Sequence, residues 1–271
     1  MIKNWILLLC IACTVSCSKF SKLQKSDDLE VKKQGAFDYY DKKDYFRASQ
    51  LLEELVPLLK GTQDAEKAEY LYAMCQYQQR VLETATYFFD TFLETYPRSQ
   101  FTEEATYMSA LSQYENSPSY YLDQSNTDKA ISGLENFIIQ YPESERRVKC
   151  QQMVDNLNDK LEKKAFENAR IFYQITEYKA AVIALANFAK DYPNSPMKEE
   201  ALYLRILSIY SLAKISTDAK KPERYQQTID YYTNFVDNFP TSKYVKPLES
   251  VFESSTSRLA KVKKDKIFLD N

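Results

Sequence analysis

One eight-residue phrase constrains this chain more than any other feature, because it is written four times: Phe92 to Ser99, Phe137 to Ser144, Phe188 to Ser195 and Phe235 to Ser242. Three copies carry Tyr-Pro-x-Ser and the last carries Phe-Pro-x-Ser. Counting back from each proline gives Ala85, Phe89, Phe92 and Pro97; Ala130, Leu134, Phe137 and Pro142; Ala181, Leu185, Phe188 and Pro193; Thr228, Tyr232, Phe235 and Pro240. A small residue, large apolar residues at +4 and +7, and a proline at +12 describe an amphipathic helix that ends where proline cannot continue it. A weaker fifth copy runs Ala48, Leu52, Leu55, with Lys60 in the proline position.

The partner helix is duplicated as well. Ala68, Tyr70, Met74 and Tyr77 recur as Ala105, Tyr107, Leu111 and Tyr114, and as Ala201, Tyr203, Leu207 and Tyr210. From Tyr70 to Tyr107 is 37 residues, near the 34-residue helix-turn-helix period of tetratricopeptide repeats. The second helix of each pair resembles the Ala-x3-Phe-x2-Ala-x4-Pro pattern of that family, with Phe or Leu in place of the second Ala. The small residue of the first helix falls on Ala36, Ala73, Ala110 and Ala169 but on Ile206 in the last copy, and the family's early tryptophan is missing. The expected fold is all-α, an α-α superhelix (solenoid) of about five tetratricopeptide repeats.

Composition removes whole classes of function. The chain has no histidine, so Ser-His-Asp and Cys-His sites, histidine metal ligands and histidine pH switches are out of reach. Its three glycines, Gly35, Gly61 and Gly133, are scattered, which excludes glycine-rich phosphate loops and dinucleotide fingerprints. A net charge of −2 without a basic block interleaved with aromatics speaks against nucleic acid. Neither a catalytic site, a metal site, a cofactor nor a small-molecule substrate is expected.

At the N-terminus, Trp5 to Val15 is an apolar run of eleven residues, shorter than the ~20 needed to span a bilayer as a helix, and reads with residues 1–16 as a secretion signal. Thr14-Val15-Ser16-Cys17 resembles a bacterial lipobox, in which the cysteine is acylated and becomes the first mature residue. Thr14 departs from the usual leucine, and Cys10-Ile11-Ala12-Cys13 is a rival. Cys17 is preferred because a polar stretch from Ser18 follows it. Residues 17–26 are then a lipidated tether and 27–266 the repeat array, with Asp27-Asp28 and Asp44 as helix starts and Lys60-Gly61-Thr62 as a repeat end. Cys75 and Cys150 read as buried small hydrophobes.

Three irregularities break the period. Asn116 to Tyr121 and Ser216 to Pro222 are insertions at corresponding turns. Between Ala130 and Phe166 the spacing grows by 14 residues, and the extra residues contain neither Gly nor Pro. The helix from Glu145 to about Thr176 is therefore expected to lengthen to roughly 48 Å and protrude beyond its neighbours. Lys243 to Lys266 reads as a terminal helix with a basic end.

The lipobox, the repeats and their Tyr-Pro-x-Ser endings, Leu122-Asp123-Gln124-x2-Thr127-x2-Ala130, and Leu161-x12-Tyr173-x4-Tyr178-x-Ala180-Ala181-Val182 together resemble BamD, the outer-membrane protein assembly lipoprotein family, over about residues 17 to 262. The resemblance implies a non-enzymatic subunit of the machinery that folds and inserts β-barrel proteins, located at the outer membrane, lipid-anchored and facing the periplasm. It implies that repeats near the C-terminus hold the central barrel-forming (BamA-like) subunit, and that N-terminal repeats receive unfolded outer-membrane proteins. By position in the tetratricopeptide pattern, a peptide groove would be lined by Phe37, Tyr40, Tyr70, Met74, Tyr77, Tyr107, Leu111 and Tyr114. Aromatic side chains with hydroxyls suit an extended peptide; the competing reading is that they only pack between helices. Two other functions stay open. One is an envelope or division scaffold of the Tol-Pal type, whose heptad run is missing here. The other is SusD-like nutrient capture, whose chains are usually longer.

Overall fold

The computed structural model describes residues 19–269 and is all-helical. After a short helical segment at residues 19–24, eleven helices follow: α1 (Leu29–Asp41), α2 (Tyr45–Leu58), α3 (Ala65–Gln78), α4 (Leu82–Thr95), α5 (Thr102–Glu115), α6 (Ser125–Gln140), α7 (Arg147–Gln174), α8 (Tyr178–Asp191), α9 (Lys198–Lys214), α10 (Lys221–Asn238) and α11 (Val245–Leu269). Each helix from α1 to α6 packs on the next in chain order, as do α8 to α11. Packing between chain neighbours is how tetratricopeptide-like repeats build a solenoid, and that is the fold of this chain.

The sequence pattern explains the hairpins. The small-plus-two-apolar triplets of the second helices are all solvent-shielded up to the last copy: Ala48, Leu52 and Leu55; Ala85, Phe89 and Phe92; Ala130, Leu134 and Phe137; Ala181, Leu185 and Phe188. In the last copy Thr228 and Phe235 are buried, while Tyr232 stacks on Phe252 at 4.7 Å. The small residues Ala36, Ala73, Ala110 and Ala169 of the first helices, and Ile206 at the same place in the last, are buried too. Small side chains at that point let facing helices approach closely.

The repeated proline phrase is a turn with a fixed hydrogen-bond scheme. Tyr96, Tyr141, Tyr192 and Phe239 leave helical geometry, with φ between −120° and −135° and ψ between 59° and 70°, as expected before proline. Three residues on, Ser99, Ser144, Ser195 and Ser242 each donate their backbone N–H to the carbonyl of that aromatic residue at 3.1–3.2 Å. The same serine hydroxyl oxygens accept the N–H of Phe101, Arg146, Met197 and Tyr244 at 3.0–3.3 Å. Pro sets φ for the turn and Ser pairs amides that the next helix start would leave without partners.

The other end of the hairpins uses a different device. Lys43, Arg80 and Thr176 have φ of 59°, 65° and 64°. Each closes a Schellman motif: Lys43, Arg80 and Thr176 donate N–H to Tyr40, Tyr77 and Tyr173, and the following Asp44, Val81 and Glu177 donate to Tyr39, Gln76 and Phe172. Asp44 also accepts from the Arg47 amide, and Asp28 from Glu30 and Val31, so both expected helix starts are real caps. The two insertions are the loops at residues 116–124 and 215–220, which replace this tight turn.

The described chain divides into two compact units, one running to Leu157 and the other beginning at Asn158. The apolar core of the first is drawn from α1 to α6, plus Cys150, Met153, Val154 and Leu157 of α7. The second has a core around Phe166, Ala169, Ala181, Leu185 and Phe188, and further clusters around Ile206, Phe235 and Leu248 and around Ala213, Tyr225 and Leu259.

Two expectations need correction. The 28-residue α7, about 42 Å long at 1.5 Å per residue, is no free extension, since its early residues are buried in the first unit's core and Phe166 and Ala169 in the second's. The added residues carry an apolar stripe of their own at i, i+3, i+4 and i+7, namely Cys150, Met153, Val154 and Leu157. The stretch read as a polar tether is also partly folded. Phe20 meets Tyr39 edge-on with ring centres 5.7 Å apart, and Leu23 packs on α1 beside Gly35. Cys75 and Cys150 are buried free thiols.

Candidate functional site

The eight groove candidates all lie in the first unit, on α1, α3 and α5, and all belong to or pack on its one apolar cluster. They separate by depth. Phe37, Tyr70, Tyr107 and Leu111 are buried, whereas Tyr40, Met74, Tyr77 and Tyr114 are only partly so.

The buried members are held by aromatic and cationic neighbours. Tyr70 stacks face to face on Phe101, with ring centres 4.7 Å apart and planes 8° off parallel, and touches Phe89 and Phe92. Tyr107 meets Phe137 at 5.6 Å, and the Arg146 guanidinium lies 4.6 Å over its ring while pairing with Glu104. Lys67 places its ammonium 4.3 Å over Phe37. These rings close the space between successive hairpins.

The partly exposed tyrosines follow a rule that the residue types alone do not disclose. Tyr40, Tyr77 and Tyr114 stand four residues after the small residues Ala36, Ala73 and Ala110, one helical turn toward the Schellman ends. The same offset from Ala169 and Ile206 lands on Tyr173 and Tyr210 in the second unit, both partly exposed. Every first helix therefore offers one tyrosine at one register. Counting from the small residue finds Tyr173, which the longer four-residue pattern misses, and returns Tyr210, which closes the third copy of that pattern.

Two of these hydroxyls are engaged locally. Tyr77 donates to Glu115 at 2.8 Å, and Glu115 also takes Arg80. Tyr210 shares a hydrogen bond of 2.9 Å with Ser254. Burial pushes Tyr40 up to about 12, and burial followed by the Glu115 hydrogen bond does the same for Tyr77. Burial raises Tyr70 further, with Glu104 and Tyr40 adding to it. At neutral pH these are uncharged phenols, able to donate and accept hydrogen bonds beside an apolar ring. That chemistry binds polypeptide backbone and aromatic side chains.

Cys17, the expected lipid anchor, lies outside the described residues. Among the described residues no helix is long and apolar enough to cross a membrane, and no group of acidic and cysteine side chains is arranged to hold a metal ion.

Comparison with known proteins agrees with this picture. A curated relative, the outer membrane protein assembly factor BamD of Caulobacter vibrioides, is 24% identical over 132 residues, covering 49% of this chain and 43% of that protein. The alignment thus spans less than half the relative's length. A family model described as outer membrane lipoprotein (YfiO) matches residues 28–183 and 162–265, two segments that overlap across the end of α7 and the start of α8. With nearly the whole repeat array matched in addition to the helical hairpins and their shared turns, the chain belongs to the YfiO family of outer membrane lipoproteins.

Proposed function

We propose that this protein is a non-enzymatic, lipid-anchored subunit of the outer-membrane β-barrel assembly machinery, facing the periplasm. In this reading its first unit receives unfolded outer-membrane proteins and its C-terminal repeats hold the central barrel-forming subunit. The observation that carries the reading is the tyrosine register of α1, α3 and α5. Tyr40, Tyr77 and Tyr114 present partly exposed phenols in three successive repeats, and the Tyr77 hydroxyl is bonded to Glu115, which pairs with Arg80. A ligand that is extended, rich in unpaired backbone amides and studded with aromatic residues at alternate positions matches such a surface, and an unfolded β-strand has those properties. The relative's name as an assembly factor supports the same direction.

The buried side chains of Phe37, Tyr70, Tyr107 and Leu111 form the floor beneath these phenols and set their spacing. Met74, partly exposed and unbranched, adapts the surface to different side chains. Cys17 supplies the anchor: acyl chains contribute about 0.8 kcal/mol per buried CH₂, and two or more hold a protein on its membrane. The docking role rests with the second unit's repeats rather than on a projecting α7, because that helix is packed along both ends.

Affinity capture of the native protein from solubilised outer membranes tests the reading. Recovery of a large outer-membrane barrel protein carrying periplasmic domains is expected; recovery of a division scaffold or a glycan transporter in its place would contradict it. Changing Cys17→Ala should release the protein into the soluble periplasm, whereas release by Cys13→Ala and not by Cys17→Ala would move the anchor to the rival cysteine.

A further inference from the structure

The described chain begins on Lys19, two residues after Cys17, and residues 19–24 are fastened to the first hairpin. Phe20 lies against Tyr39, the Arg47 guanidinium stands 5.7 Å from the Phe20 ring, and Leu23 occupies the space left open by Gly35, where a Cβ would fall 2.8 Å from its Cδ1. Lys19 is thereby held at the α1–α2 turn, where it lines a hollow of about 340 Å³ together with Leu23, Asp38, Tyr39 and Lys42. Lys22 follows one helical turn after Lys19, and Lys43 sits beside Lys42 in the left-handed turn. All four lysines are exposed, and none forms an ion pair among the described residues. Just past them, Phe46 at the start of α2 is 61% exposed.

We infer that this corner of the first unit is a membrane-contact surface for anionic phospholipid, with Lys19, Lys22, Lys42 and Lys43 meeting headgroup phosphates and Phe46 entering the interface. The inference rests on the reading of Cys17 as acylated. Two residues reach at most about 7 Å, so an acyl chain on Cys17 brings Lys19 and the turn it is fastened to up to the headgroups. The charge fits those surroundings. Asp38, Asp41 and Asp44 are the acidic residues of this turn, and Asp44 is committed to capping α2 and pairing Arg47. The four lysines and Arg47 against three carboxylates make the corner positive on a chain whose net charge is −2. A lipid chain plus a basic patch is the two-signal arrangement that makes anchoring stable. The opposite end of the hairpin also exposes an apolar residue, Leu58, but it lies a helix length away from Lys19.

The test uses the full acylated protein, whose mature part holds no tryptophan because Trp5 is the chain's single one. With Phe46→Trp, the introduced indole is expected to shift to the blue and to be quenched severalfold by lipids brominated near the headgroup, in vesicles containing phosphatidylglycerol. Leu58→Trp should remain in water. Replacing the four lysines by glutamine should remove the quenching. Protein that floats with the vesicles while the indole at position 46 stays unquenched would overturn the inference and leave the anchor intact. As a second arm, unacylated Cys17→Ala protein should float with phosphatidylglycerol vesicles at low salt at least tenfold better than the same protein lacking the four lysines, and equal flotation would count against the surface. Failure of the anchor itself has a different signature: loss of wild-type flotation with phosphatidylcholine vesicles, with the lysine-dependent flotation of the second arm preserved as support for the surface.

Discussion

Lys43, Arg80 and Thr176 hold left-handed backbone at three equivalent turns, where glycine is the residue that costs least. Thr176 is the worst placed, being β-branched. Left-handed geometry costs a non-glycine residue roughly 1–2 kcal/mol, and glycine gives back about 0.5–1 kcal/mol of that in chain entropy. Thr176→Gly should therefore stabilise the protein by about 0.5–1 kcal/mol, seen as a higher urea midpoint at unchanged slope. Gly61, at φ 81° with no neighbour within 4 Å of the point a Cβ would occupy, offers the reverse case. Gly61→Ala should lower the midpoint by backbone strain alone. Ser99, Ser144, Ser195 and Ser242 form the complementary set, since each hydroxyl satisfies one amide at the start of the next helix. Ser195→Ala is expected to cost about 1 kcal/mol, and an effect near zero would show that water replaces the hydroxyl freely.

At the scale of the helix, the pattern of small residue, two apolar residues and proline is legible in the sequence because each position has one physical job: close approach, burial, burial, and termination. The same reasoning misjudges α7. The lack of Gly and Pro correctly gives an uninterrupted helix, but its length reads as projection when the repeat period is the only yardstick. Cys150, Met153, Val154 and Leu157 show a buried stripe that local periodicity contains and repeat counting does not. The segment at residues 19–24 escapes for a related reason: four polar residues outnumber Phe20 and Leu23, yet two apolar contacts suffice to fasten this short helical segment. The groove candidates divide by depth in a way spacing cannot express, since Tyr70 and Tyr77 share one helix but only Tyr70 is stacked under Phe101. Truncating a buried aromatic costs about 3–5 kcal/mol. Tyr107→Ala should fall in that range by thermal or urea unfolding, while Tyr114→Ala, partly exposed, should cost well under half as much.

Across the whole molecule, the lack of histidine removes the groups that usually titrate between pH 5 and 8, so stability should be level there. The alkaline side is different. Burial raises Cys75, Tyr40, Tyr77 and Tyr96 each to about 12, with Glu115 adding to the effect at Tyr77 and Glu69 at Tyr96. These acids hold their protons more tightly folded than unfolded, so their contribution is complete below about pH 9 and is lost as pH rises from there through about 12. Urea midpoints should fall steeply over that window. Tyr77→Phe should flatten the fall, and an unchanged profile would assign the loss to other groups.

Whether the phenols of α1, α3 and α5 bind unfolded β-barrel segments, rather than only packing between helices, decides the functional reading. One paired measurement answers it: binding of a fluorescent peptide from the C-terminal strand of an outer-membrane barrel protein to wild type and to the Tyr40→Ala, Tyr77→Ala, Tyr114→Ala triple variant, with the unfolding midpoint of each recorded on the same samples. At least a tenfold loss of affinity is expected, with the folded baseline preserved at the assay temperature. Full affinity in a folded but strongly destabilised variant would return the three tyrosines to the core and contradict the groove.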